Sequence, residues 1–333
     1  MTEAPSGKTT PRVLCTRRLT AGTLRGLAES FDLDLHDSEL PMQRDELLQR
    51  AHGVDGILTM LNDRVDAELL DAAGPQLRIV ANFAVGLDNV DIDAATTRGV
   101  LVSNTPGAVT RPTAELAIAL TLALLRRVAE GDRRLRRGDP WEWTPTWMLG
   151  SALAGRTFGV VGYGRIGREV ARLARAFEMG VVYTRPGGPL DGEPGWLSHD
   201  ELLARADVVS LHCPLNDDTR HLIDWDALSL MKPSAVLVNT SRGPVVREQA
   251  LVEGLREGAI AGAALDVFEF EPAVTAELLD LQNVVVTPHL GSGTWEAREE
   301  MGALCVSALE AVLLRDVRPD NAVNVPDLRA VST

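Results

Sequence analysis

The sequence predicts an α/β protein built from two parallel-sheet domains, and three observations carry that expectation. Short β-branched runs alternate with helical patterns nearly from end to end, the mark of parallel strands joined by crossover helices. The 333 residues exceed what a single hydrophobic core usually fills. A glycine-rich turn, Gly162 to Gly167, stands between an apolar strand and a helix and belongs to a second α/β series starting at Thr157.

Met1 to Pro11 is polar, carries Pro, Ser, Gly and Thr, lacks the apolar core of a signal peptide, and is expected to form a loose tail. Arg12 to Cys15 reads as a strand and Ala21 to Ser30 as a helix. Val54 to Met60, Leu77 to Ala81 and Val100 to Ser103 read as further strands, with helices at Asp45 to Ala51 and Asp66 to Ala73. One long helix is expected from Thr113 to about Arg137, apolar at first and ending in the basic run RRVAEGDRRLRR, which reads as a solvated helix end or, alternatively, an intersubunit contact surface. Trp141, Trp143 and Trp147 then fall within seven residues, with Pro145 among them. Proline argues against a regular helix there, and indoles are unfavourable in water, so packing into an interface or over a cleft is expected. Strands follow at Thr157 to Val161, Gly180 to Tyr183, Val208 to Leu211, Ala235 to Asn239, Ala261 to Asp266 and Val284 to Thr287. Beyond Val317, the residues Pro319, Asn321, Asn324 and Pro326 favour an extended tail.

Composition narrows the function. Lys and Arg total 33 against 47 Asp and Glu, a formal charge of −14, which argues against a nucleic-acid binder or a polybasic membrane-surface protein. With 45% hydrophobic and 24% charged residues the chain is that of an ordinary globular protein. Cys15, Cys213 and Cys305 are odd in number and widely spaced, so no disulfide framework is expected and a reducing cytoplasm is the simplest location. No His/Cys cluster has metal-like spacing, and no metal is expected. No apolar run reaches ~18 residues without charges, so no membrane span is expected.

Gly162-Tyr163-Gly164-Arg165-Ile166-Gly167 is a GxGxxG pattern following the strand that ends at Val161 and preceding the helical stretch Arg168 to Phe177. Gly162 permits a tight turn, Gly164 lets the backbone approach a pyrophosphate, and Gly167 allows close helix–strand contact. The helix N-terminus adds free N–H groups and a positive dipole end. This context identifies a Rossmann-like dinucleotide-binding domain. At the end of the next strand, where an acid would receive the adenosine ribose of NAD, stand Thr184 and Arg185. A missing carboxylate and an available guanidinium suit a 2′-phosphate, so NADP(H) is expected to be preferred over NAD(H).

Arg242 follows one predicted strand, Glu271 lies beyond another, and His289 beyond a third. Ligands of open α/β sheets bind outside the carboxyl ends of strands, so the three converge on one crevice. His212 and Cys213 also follow a strand, but no chemistry is assigned to them.

With these residues in view the chain resembles the D-2-hydroxyacid dehydrogenase family, and within it the glyoxylate/hydroxypyruvate reductases. The resemblance runs through Leu58 to Leu61, Asn82 to Asn89, Asn104 to Gly107, Thr113 to Glu115, Gly162 to Gly167, Leu265 to Glu269 and Pro288 to Ser292. It implies that Arg242 grips a 2-oxo acid and polarises its carbonyl, that His289 is the general acid, and that Glu271 holds the ring in its charged form. It assigns the substrate carboxylate to the backbone of Ala84, Val85 and Gly86, with Leu61 and Phe83 as apolar wall. It places the cofactor against Thr113, Gly162, Gly164, Arg165, Ile166, Gly167, Thr184, Arg185, Pro214, Thr219, Thr240, Asp266 and Gly291, with Asp266 on the carboxamide. The domain map becomes a dinucleotide-binding domain (108–297) inserted into a smaller flavodoxin-like substrate domain (1–107 plus 298–333), with substrate held between them. Trp143 matches an arm that reaches a neighbouring subunit in relatives, implying a homodimer. The loop of phosphite dehydrogenase has a lysine where this chain has Val85, which sets that substrate aside. A nucleotide-sensing corepressor of the same fold and a dehydrogenase for larger 2-oxo acids stay open as alternatives.

Overall fold

A computed structural model describes residues 10–326, so the tail expected at Met1 to Pro11 lies, apart from Thr10 and Pro11, outside the described residues. The chain divides into two compact units: one holds the described residues up to Val109 and from Thr294 onward, the other Thr110–Gly293.

In the first unit β1 (Arg12–Cys15), α1 (Ala21–Ser30), β2 (Asp32–Leu35), α2 (Arg44–Ala51), β3 (Gly56–Thr59), α3 (Ala67–Ala73), β4 (Ile79–Asn82), α4 (Ile92–Thr97) and β5 (Leu101–Ser103) alternate. The strands form one parallel sheet in the flavodoxin-like order β2-β1-β3-β4-β5. Every residue of β3 and β4 is buried, as strands covered on both faces require. Two elements escape the sequence reading. Strand β2 alternates Asp32 and Asp34 with leucine and is not β-branched; it lies on the sheet edge, where Asp34 accepts hydrogen bonds from Arg12 and Arg50. Helix α4 has six residues and starts where Asp91 accepts from the Ala94 N–H at 2.8 Å. The opposite edge is covered by the extended tail: the Val323 N–H donates to the Val102 carbonyl at 2.9 Å, and the Val102 N–H donates to Asn324 Oδ1 at 2.8 Å.

The second unit runs α5 (Thr110–Leu125), α6 (Val128–Arg136), β6 (Thr157–Val161), α7 (Arg165–Ala176), β7 (Gly180–Thr184), α8 (His199–Arg205), β8 (Val208–Leu211), α9 (Trp225–Leu230), β9 (Val236–Asn239), α10 (Glu248–Glu257), β10 (Gly262–Leu265), α11 (Ala276–Asp280) and β11 (Val284–Val286). Helix α12 (Trp295–Leu313) belongs to the first unit. The six strands are parallel, in the order β11-β10-β9-β8-β6-β7. Alternate residues feed two apolar clusters: Val209 and Leu237 join one, Val208 and Val236 the other, so each face of the sheet is buried. The order reverses at β6, which sets its C-terminal turn at the switch point.

The single helix expected from Thr113 to Arg137 is two helices. Arg127 is left-handed at φ +53°, and the Leu125 carbonyl, which a continuing helix would give to Ala129, accepts instead from the Ser151 N–H at 2.8 Å. Gly150 makes this return possible, because a Cβ there would lie 2.3 Å from that carbonyl oxygen. Beyond the break, Glu130 accepts from Arg127 and Arg134 on an otherwise solvated helix. The tryptophan segment is irregular, with Trp141 and Trp147 stacked at 6.1 Å and Trp143 76% exposed within the chain. Among the described residues no helix is long and apolar enough to cross a membrane.

Helix α12 packs on α1 through Gly302, where a Cβ would lie 1.8 Å from Thr23 Oγ1 and 2.8 Å from its Cβ. Gly302→Ala should therefore destabilise the protein by about 1–3 kcal/mol through overpacking. An unchanged urea midpoint would contradict that contact.

Candidate active site

The glycine turn after β6 shows three different uses of a missing side chain. Gly162 has φ +95°, and a Cβ there would stand 2.5 Å from the Cys213 nitrogen at the end of β8. At Gly167 a Cβ would meet the Gly162 carbonyl oxygen at 2.2 Å, so the helix can seat on the turn only with glycine. Beside Gly164 nothing lies within 4 Å, and it opens the twelve-residue α7 without a side-chain cap. Arg165 and Ile166 form the first turn of that helix, leaving its N-terminal N–H groups for an anion.

Thr240, just beyond β9, has a buried hydroxyl with no hydrogen-bond partner. That orphan and the open space at Gly164 fit a dinucleotide. At the end of β7 the Thr184 carbonyl accepts from the Gly162 N–H at 3.0 Å, and Arg185 Nε donates to the Pro186 carbonyl at 3.1 Å. Pro214 and Thr219 belong to one loop: Thr219 Oγ1 donates to the Pro214 carbonyl at 2.6 Å. Among the described residues no group of three His, Cys, Asp or Glu could hold a metal ion.

The same sheet edge carries Arg242, Glu271 and His289. Beyond β9, Asn239 Oδ1 accepts from the Ser241 N–H at 3.0 Å, and Asn239 Nδ2 donates to the Arg242 carbonyl at 2.9 Å, winding the turn that presents Arg242. Gly243 fits there because a Cβ would stand 1.8 Å from the Phe268 carbonyl oxygen. Beyond β10, the Phe268 N–H donates to Glu271 Oε1 at 2.8 Å. The other oxygen, Oε2, accepts from His289 Nδ1 at 2.9 Å. That bond fixes the hydrogen on Nδ1 and leaves Nε2 as the exchangeable position of the imidazole. Burial pushes the Glu271 carboxyl up, but the His289 hydrogen bond and charge, the Phe268 N–H and the Arg242 charge together hold it below the usual carboxylate range.

His289 has φ +54°, a conformation rarely adopted by a side chain of this size, and Asp266 holds it there. The Asp266 carbonyl accepts from the His289 N–H at 2.8 Å. Its carboxylate accepts from Thr287 Oγ1 at 2.6 Å, the Leu290 N–H at 2.7 Å and the Gly291 N–H at 2.8 Å. Thr113 Oγ1 donates to the Gly291 carbonyl at 3.0 Å. Thr113, Asp266 and Gly291, expected at the cofactor, are thus joined to one another around His289. Burial raises the Asp266 carboxyl above its ordinary value despite these donors. The sequence reading missed this latch; its signal was an acid directly after β10 and a threonine directly after β11.

Ala84, Val85, Gly86 and Leu61 lie in the first unit, beyond the C-terminal ends of β4 and β3. Here the carbonyls of the loop are tied back: Ala84 accepts from the Thr105 N–H at 3.0 Å, Val85 from Asn104 Nδ2 at 2.8 Å and Gly86 from Asn82 Nδ2 at 2.9 Å. With the oxygens turned away, the N–H groups of Val85 and Gly86 are left as donors, the requirement for binding an anion by backbone. Asn82 and Asn104 were quoted in the sequence motifs without a role; each supplies one of these ties. Leu61 is 38% exposed.

His212 and Cys213, beside Gly162, carry no reactive form. Burial pushes the thiol up to about 11 and the imidazole down to about 3, with Ser210 Oγ bonded to His212 Nε2 at 2.9 Å. Below about pH 6.5, where an unfolded histidine gains a proton that the folded one refuses, His212 must lower stability as pH falls toward 3. His212→Gln should therefore lose less stability than the parent protein between pH 7 and 5. An equal drop in the urea midpoint for both proteins would contradict the assignment.

Comparison with known proteins identifies the family. Residues 118–291 match the model of the D-isomer specific 2-hydroxyacid dehydrogenase, NAD binding domain. Glyoxylate reductase of Thermococcus onnurineus is 46% identical over 318 residues, covering 93% of this chain and 95% of that protein. A crystal structure of a Thermus thermophilus protein superposes with a TM-score of 0.89 at 44% identity, covering 94% of this chain and all of the other. The NADPH-dependent glyoxylate/hydroxypyruvate reductase of Sinorhizobium meliloti, solved with NADP and malonate, does so with a TM-score of 0.82 at 33% identity, over 95% and 97% of the two chains. The chain belongs to the D-isomer specific 2-hydroxyacid dehydrogenase family and is a nicotinamide-dependent enzyme of 2-oxo acid reduction.

Proposed function

We propose that the enzyme reduces glyoxylate and hydroxypyruvate to the corresponding D-2-hydroxy acids, with NADPH preferred over NADH. The observation that carries the chemistry is the His289–Glu271 pair at 2.9 Å, with the Arg242 charge acting on the same carboxylate. The bound nicotinamide supplies hydride to C2 of the 2-oxo acid. His289 donates its Nε2 proton to the carbonyl oxygen as charge develops there, and Glu271 stabilises the imidazolium. Arg242 binds the carboxylate and carbonyl oxygen of the substrate, fixing its orientation and polarising the C=O. The N–H groups of Val85 and Gly86 are assigned to the substrate carboxylate. The relatives named glyoxylate reductase support this substrate class.

The cofactor preference rests on Thr184 and Arg185 at the end of β7, where no carboxylate opposes a 2′-phosphate. The dimer reading rests on the exposed Trp141 and Trp143, large apolar groups that a second copy of the chain would cover.

His289→Ala should lower turnover with glyoxylate by ~100-fold or more, and near parental kcat would refute the general-acid role. Glu271, held below the usual carboxylate range, stays ionised above that range, so its support is lost only as pH falls through the lowered value. Arg185→Ala should weaken NADPH binding while sparing NADH, measured as kcat/KM with each. Equal loss for both cofactors would sink the phosphate assignment.

A further inference from the structure

We propose that His221 is a positioning residue that holds the Arg242 turn and the Glu271 turn in register. The proposal rests on the roles given above to Arg242, Glu271 and His289. His221 lies between the Pro214–Thr219 loop and α9, in a left-handed conformation at φ +55°. From that conformation it bonds in two directions. Its backbone N–H donates to the Pro244 carbonyl at 2.8 Å, two residues beyond Arg242. Its ring Nε2 donates to Glu269 Oε1 at 2.6 Å, two residues before Glu271.

The partner of the ring is itself fixed from several sides. Glu269 Oε2 accepts from the Glu248 N–H at 2.9 Å, while the Glu269 N–H donates to Glu248 Oε1 at 2.6 Å. Thr275 Oγ1 donates to the remaining oxygen of Glu248. The two turns also touch directly, since Gly243 has no room for a Cβ against the Phe268 carbonyl. The Phe268–Glu269 segment is therefore clamped between Gly243 on one side and the Glu248–His221 bonds on the other. The neighbouring Phe268 N–H is the group that holds Glu271 Oε1.

Stability alone does not favour this arrangement. Glu248 is 2% exposed and Glu269's side chain 12% exposed, so two carboxylates sit buried in mutual contact through their backbones. Well-packed apolar side chains of similar volume would avoid that desolvation. What the polar network adds is direction: hydrogen bonds constrain both distance and angle, and the Arg242 and Glu271 turns are tied to one another through them. Misplacement of about 1 Å at a reacting group can lower a rate by about 100-fold.

The test is steady-state reduction of glyoxylate with NADPH by the full-length protein and by His221→Ala, His221→Gln, His221→Asn and His289→Ala, with thermal melting of each. The amide nitrogen of Gln can occupy the place of Nε2, whereas that of Asn falls short by one methylene. His221→Ala should raise KM and lower kcat together, with kcat/KM down about 10- to 100-fold. His221→Gln should recover kcat/KM to within about threefold, and Asn should not. If Ala fails to fold, the contrast between Gln and Asn decides: equal kcat/KM for those two overturns the proposal. If His221→Ala keeps kcat and KM while His289→Ala is inactive, His221 is merely structural and the catalytic assignment stands. If His289→Ala turns over at the parental rate, the catalytic assignment itself falls and takes this role of His221 with it.

Discussion

A buried carboxylate at the end of β10 holds together the sheet edge of the second unit that carries His289 and Glu271. Asp266 receives the Thr287 hydroxyl and the N–H groups of Leu290 and Gly291, and its own carbonyl receives the His289 N–H. Leaving such a carboxylate buried without donors would be strongly unfavourable, so the loop after β11 must curl back and satisfy it. That curl forces His289 into its left-handed conformation and brings Nδ1 to Glu271. Thr113, entering from α5, ties the Gly291 carbonyl and closes the same loop from another element. The His289 ring is thereby set by three separate parts of the chain.

Around this latch the fold has removed side chains wherever backbones meet. Gly162 against Cys213, Gly167 against the Gly162 carbonyl and Gly243 against Phe268 each leave no space for a Cβ. Gly164 differs: it faces open space at the N-terminus of α7. The first three let strand ends and turns crowd together, and the fourth leaves open space beside the first turn of the helix. The overall charge of −14 does not conflict with an anionic substrate, because the attracting groups are few and local. On the proposed reading these are Arg242, Arg185 and backbone N–H groups, which act within a Debye length, whereas more distant surface charges are screened.

Much of this was legible in one dimension. The strands of the second unit lie within a residue or two of their predicted limits, because parallel strands buried on both faces must be continuous apolar runs. GxGxxG gave its own geometry, since only glycine satisfies those approaches. Strand β2 was not legible, since DLDL is no β-branched run and its Asp34 is held by Arg12 and Arg50 from other elements. Nor was the break at Arg127: the residues there favour helix, and the interruption comes from the N–H of Ser151, remote in sequence, donating to the Leu125 carbonyl.

The sequence by itself determined the fold class and the glycine turn, and it singled out Arg242, Glu271 and His289 as candidates, because each depends on local pattern: period, glycine placement and position after a strand. Tertiary structure alone decided what those residues do to one another. Asp266 became a latch, Asn82 and Asn104 became ties that free the N–H groups of Val85 and Gly86, and His221 became a bridge between two turns. Each of these is a hydrogen bond between residues from 4 to 48 positions apart, such as His221 and Glu269. Local propensity carries no information about which buried donor meets which acceptor; only the packed sheet, by setting its strand ends side by side, makes that choice.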